Sequence, residues 1–148
     1  YRFPRTFKND PENLNFSFSG LKTAVRYQLV GEGKQNFEEL VISEEHRANI
    51  AASFQAAVVD VLATKARHAL QKTGMKNLCV GGGVAANGVL RARLERDAKR
   101  FGFQFFTAPL SLCTDNAVMG AIAWERYRAG EFADLDLNFE AGVVRASH

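Results

Sequence analysis

Leu78-Cys79-Val80-Gly81-Gly82-Gly83-Val84-Ala85-Ala86-Asn87 is the stretch on which the fold turns. Three apolar residues without alternation have the pattern of a short strand covered on both faces. Three glycines then stop it, and Leu90, Leu94, Ala98 and Phe101 follow at spacings of three and four, the stripe of an amphipathic helix starting near Asn87. Gly102 closes that helix, and residues 103–106 read as a further strand. Strand, helix and strand in such close succession point to an α/β layer with at least partly parallel strands.

Upstream, Ser43-Glu44-Glu45 opens a long helix, with a capping hydroxyl and then two acids at the positive end of the helix dipole. Its apolar positions run from Ile50 to Leu70, and Lys72 and Gly74 close it. At 1.5 Å per residue it spans on the order of 40 Å. Earlier still, Phe16-Ser17-Phe18-Ser19 alternates like a short half-buried strand. Gly20 breaks it, and Leu21, Ala24, Val25 and Leu29 mark a shorter helix with Ser19 as its cap and Gly31-Glu32-Gly33 as its end. Residues 1–15, with Pro4 and Pro11, read as loop, and 34–41 as a polar connection. Beyond Pro109, Thr114 or Asp115 caps a last helix carrying Val118, Met119, Ile122, Ala123 and Tyr127 and ending at Gly130. The expected class is therefore α/β with at least partly parallel strands, 1–148 forming one piece without repeats or a compositional boundary.

Composition narrows the function. With 47% hydrophobic and 24% charged residues, the 148-residue chain can bury a core, which excludes wholesale disorder and a disulfide-stapled miniprotein. No apolar run approaches a membrane span, and Tyr1-Arg2-Phe3-Pro4 reads as the middle of a longer protein. A net charge of +3 suits an anionic ligand without implying a nucleic-acid-coating protein. Cys79 and Cys113 are isolated thiols, in keeping with a reducing, cytoplasmic setting. His46, His68 and His148 stand far apart, and neither HExxH nor GxSxG occurs, so a self-contained protease is excluded.

Four places could hold chemistry. The glycine triplet, after a strand and before a helix, can bring bare backbone N–H groups to an anion or nucleotide, or can be only a tight turn. Asn87 can cap the following helix and still present its amide to a ligand. Asp115, in Cys113-Thr114-Asp115-Asn116, can be a metal ligand or a cap. Ser17-Phe18-Ser19-Gly20-Leu21-Lys22-Thr23 has residues suited to phosphate but no full phosphate-binding loop. Arg93, Arg96 and Arg100 share one flank of their helix, able to meet a phosphate backbone or simply solvent.

Asn15-Phe16-Ser17-Phe18-Ser19-Gly20-Leu21-Lys22-Thr23, Gly81-Gly82-Gly83-Val84-Ala85-Ala86-Asn87 and Cys113-Thr114-Asp115-Asn116-Ala117-Val118-Met119, in this order and spacing, resemble one family. It is the tRNA adenosine threonylcarbamoyltransferase family, formerly called glycoprotease or O-sialoglycoprotein endopeptidase. The resemblance covers nearly the whole chain but only the C-terminal part of a family member. It implies an actin-like ATPase fold built of ribonuclease-H-like lobes, with this chain as the C-terminal lobe or part of it. The implied reaction moves a threonylcarbamoyl group from threonylcarbamoyl-adenylate to the exocyclic amine of the adenosine next to the anticodon in tRNA. By motif, Gly82 and Gly83 let adenine and ribose approach the backbone, Asn87 contacts the nucleoside of ATP or of the adenylate, and Asp115 is a ligand of a divalent metal, iron in preference to zinc.

The resemblance further implies cytoplasmic location and companion proteins: a maker of the adenylate, a catalytically dead paralogue and a small ATPase, with no membrane partner. The family's other metal ligands, a His-x-x-x-His pair, belong to its N-terminal part and are not in this sequence. The tail from Phe139 to Arg145 also lacks the family's basic stretch with Pro and Trp. No catalytic base is assigned, and this piece alone is expected to be inactive. Two other readings share the glycine turn and helix order: a lobe of a different actin-like phosphotransferase such as a carbohydrate kinase, and a non-catalytic scaffold paralogue.

Overall fold

The structure, a computed structural model, describes residues 1–33, 36, 37, 40–115, 117–132 and 134. It comprises two compact units, Tyr1–Thr114 and Asp115–His148. The first unit contains α1 (Ser19–Val30), α2 (Glu44–Thr73), β1 (Asn77–Val80), α3 (Gly88–Phe101) and β2 (Gln104–Thr107). The second contains α4 (Ala121–Arg128), preceded by a 3-10 turn over Ala117–Gly120.

β1 and β2 pair in parallel, with Leu78 opposite Phe105 and Val80 opposite Thr107, so β1–α3–β2 is a βαβ unit, in line with the expected α/β class with parallel strands. The helices end where their sequences say. Ser43 Oγ accepts from the N–H of His46 at the start of α2, and Gly74 leaves it in the left-handed region at φ 70°. Gly102 ends α3 at φ 72°, its N–H donating to the carbonyl of Ala98. Both stops use the freedom of a residue without Cβ.

α2 is the spine because it is apolar on two sides. Ile50 and Ala57 pack with Phe3 of the N-terminal segment and Leu21 of α1. Val59 and Ala63 pack with Leu90 and Leu94 of α3, against Leu78, Val80 and Phe105 of the sheet. Lys65, on the same helix, is 1% exposed, its ammonium donating to the carbonyls of Asp10 and Asn13. A buried ammonium needs such acceptors, and here they fix the turn at 10–13.

Four expectations change. Phe16–Ser19 does not form a strand: the carbonyl of Phe18 already accepts the first helical bond, from Lys22, and Ser19 is the first residue of α1. For the same reason Ser19 is not the cap; Phe18 holds that position and provides no side-chain hydrogen bond. β1 is not covered on both faces, since Leu78 and Val80 face the helices while Cys79 is exposed, as is Phe106 opposite it. α4 starts from Gly120, not from Thr114 or Asp115, because Val118 and Gly120 are poor α-helix residues and the preceding turn is 3-10. Asn116, Ala133, residues 135–148 and four positions between 34 and 39 lie outside the described residues, so the expected connection over 34–41 is described only in part. Among the described residues no helix is long and apolar enough to cross a membrane.

Candidate nucleotide-binding turn

The chain leaves β1 through Gly81 and turns at Gly82, whose φ of 82° and ψ of 175° suit only glycine. A four-residue 3-10 turn, Gly83–Ala86, follows, closed by the N–H of Ala85 donating to the carbonyl of Gly82 at 2.9 Å. Gly83 has ordinary φ, and a Cβ there would meet only the carbonyl oxygen of Cys113, 3.9 Å away. Gly82 is thus demanded by the backbone, whereas Gly83 keeps the rim of the turn bare. All three glycines are exposed, so the leading N–H groups of the turn are approachable.

Asn87 links the turn to α3. Its Oδ1 accepts from the N–H of Leu90 at 3.0 Å, which makes it the cap that the sequence suggests. That bond fixes which way the amide faces, and Nδ2 donates to Oε1 of Gln55 on α2 at 3.0 Å. Both amides border a groove of about 260 Å³ with Phe54, Val58, Val84 and Leu90 on its walls. An apolar groove with two amides at one place is suited to a flat heterocycle whose edge carries donors and acceptors. With Oδ1 engaged in the cap and one amide hydrogen on Gln55, Asn87 keeps its second amide hydrogen for such an edge.

Gln55 and Arg91 border the turn without a cue in the sequence. Gln55 is one polar residue inside an amphipathic run, and Arg91 follows a helix start like any surface cation. Of the arginine trio, Arg93 is engaged within the protein, its Nε on Asp97 at 3.0 Å and Nη1 on Asp60 at 3.4 Å. The guanidinium of Arg100 lies over Phe101 at 5.3 Å.

Gly82, Gly83 and Asn87 therefore stand together in the first unit. Asp115 is exposed and is the first residue of the second unit. Among the described residues no three His, Cys, Asp or Glu side chains gather as a metal-binding group.

A family model described as tRNA N6-adenosine threonylcarbamoyltransferase matches residues 1–122. The chain belongs to this family. It is 51% identical over 154 residues to the tRNA N6-adenosine threonylcarbamoyltransferase of Rhodopirellula baltica, covering 98% of this chain and 43% of that protein. Proteins of the same description from Francisella philomiragia and Thermotoga neapolitana are each 45% identical, covering 95% and 97% of this chain and 40% and 41% of their own lengths. The chain thus spans about two fifths of the threonylcarbamoyltransferases it matches.

Proposed function

We propose that this chain is the C-terminal part of an enzyme that transfers a threonylcarbamoyl group from threonylcarbamoyl-adenylate to the adenosine beside the anticodon of tRNA, in the cytoplasm. The observation that carries the reading is the family match over residues 1–122, in which the glycine turn and Asn87 fall. In this reading the parent protein has the actin-like fold, and residues 1–148 form a single C-terminal portion of it. Its companion proteins are a maker of the adenylate, a catalytically dead paralogue and a small ATPase.

The chemistry assigned to this chain is binding and orientation. Backbone at Gly82 and Gly83 receives the adenine and ribose of ATP or of the adenylate, and the Asn87 amide reads the nucleoside edge. Holding the acyl donor in one place lowers the barrier to amine attack by removing the entropy cost of meeting it. A divalent metal, iron in preference to zinc, would polarise the transferred carbonyl as a Lewis acid when bound. The described residues do not complete a site for it, since one carboxylate, Asp115, is all that this reading assigns here.

The test uses the full-length protein carrying Asp115→Ala. Metal content by mass spectrometry and threonylcarbamoyl transfer to tRNA are both expected to fall to background, with nucleotide binding retained. Wild-type metal content together with wild-type transfer would sink the ligand assignment. Absence of transfer in the unmutated full-length protein supplied with adenylate and tRNA would sink the function.

A further inference from the structure

Arg91 stands one turn into α3, and its half-buried guanidinium reaches three separate segments. Nε donates to the carbonyl of Ala85, inside the 3-10 turn, at 2.5 Å. Nη2 donates to the carbonyl of Ala108, just beyond β2, at 2.7 Å, and lies 3.1 Å from Sγ of Cys113. Cys113 is 1% exposed, its thiol also facing the carbonyl of Pro109 at 3.4 Å. Among the described residues Arg91 forms no ion pair.

These partners have a common position. Ala85 lies in the segment leaving the C-terminal end of β1, and Ala108 and Cys113 in the segment leaving the C-terminal end of β2. That end of a parallel sheet is where ligands gather. Carbonyls outside a ladder need donors, and a rigid planar fork supplies two at fixed directions, which a lysine ammonium cannot reproduce. Leu90 and Leu94 of the same helix are buried in the core, so the fork adds connection at the loops and not core packing.

We infer that Arg91 is a positioning residue for the nucleotide site. It holds the glycine-led turn at a set distance from the segment after β2, and so fixes the bend that presents Gly82, Gly83 and Asn87. This rests on the reading of the turn given under Proposed function. Loss of the fork should loosen the two loops while the helix and sheet beneath them stay folded.

The experiment uses the full-length protein with Arg91→Lys, and Asn87→Ala beside it. ATP affinity is measured by calorimetry, folding by circular dichroism, and thiol labelling of Cys79 and Cys113 by peptide mass spectrometry. Arg91→Lys is expected to stay folded and to bind ATP about tenfold more weakly, since a small displacement at a binding site is costly. Cys113 should label faster while exposed Cys79 keeps its rate. A folded Arg91→Lys protein with wild-type ATP affinity overturns the inference, whatever its melting temperature. If Asn87→Ala also binds ATP normally, the failure belongs to the nucleotide-site reading; if Asn87→Ala weakens binding, it belongs to Arg91 alone. Should Arg91→Lys not fold, the wild-type protein decides: saturating ATP should slow labelling of Cys113 but not of Cys79, and no slowing overturns the inference.

Discussion

An asparagine amide has an acceptor end and a donor end, and at Asn87 they serve different neighbours. The acceptor caps α3 through the N–H of Leu90, and the donor meets Gln55 across the groove. The two uses can be separated. Asp caps about as well as Asn and suits the helix dipole, but it cannot donate. Asn87→Asp should therefore leave the midpoint of urea unfolding close to wild type while weakening ATP binding by about tenfold or more, the expected cost of a lost hydrogen bond beside a newly placed charge. Asn87→Ala should lose the affinity and also about 1 kcal/mol of stability, the usual worth of a cap. Wild-type ATP binding by Asn87→Asp would leave Asn87 as a cap alone. The cap was legible because Asn precedes the apolar stripe of α3. Gln55 was not, because a partner 32 residues away leaves no local pattern.

The segment before α1 has no regular structure, and it is fastened to α2 by side chains. Asp60 on α2 takes Arg5 at 2.8 Å and Lys8 at 2.5 Å from that segment, and Arg93 of α3 at 3.4 Å. Burial alone would raise the pKa of Asp60, but the hydrogen bonds and charges of Lys8 and Arg5 outweigh it and hold the carboxyl below its ordinary value. A carboxyl with a depressed folded pKa stabilises the fold above its unfolded pKa, and that contribution is lost as pH falls through the folded one. Stability should accordingly fall in the acid range below an unfolded pKa of about 4. Asp60→Asn should flatten this part of the profile and cost about 1–2 kcal/mol at neutral pH, because three cations lose a shared partner. Urea unfolding followed from neutral pH into that range checks both; an unchanged acid slope would remove Asp60 from the account. At this scale the sequence was most readable where one element carries its own signal. Periodicity and caps fixed α2 and α3, and short apolar runs fixed β1 and β2. The alternation at 16–19 misled because alternation gives a strand its faces but not a partner, and helix α1 takes up the carbonyl of Phe18. The 3-10 turn at Gly83–Ala86 was invisible because Val84-Ala85-Ala86 carries no turn chemistry.

Each unit keeps apolar surface that its own described residues do not cover. In the first, Phe106 is 50% exposed beside exposed Cys79 on the open face of the sheet. In the second, α4 presents Ile122 at 70%, Trp124 at 59% and Tyr127 at 61%, with the rings of Trp124 and Tyr127 stacked 5.6 Å apart. Contiguous surface of this kind in a soluble protein marks contact with more polypeptide. The matched relatives are longer by more than half of their own length, and under the proposed function the remainder of the enzyme supplies that cover. Residues 1–148 expressed alone should then self-associate through these faces, with light scattering rising with concentration. Phe106→Thr keeps β-propensity on an open strand face and removes the exposed half of the ring, at the cost of the buried half. It should reduce the scattering with at most a modest fall in the melting temperature, and Trp124→Gln should add to the effect. A chain that stays monomeric at every concentration, or variants that associate as strongly as the parent, would show that these faces need no cover and that the exposed aromatic residues serve another purpose.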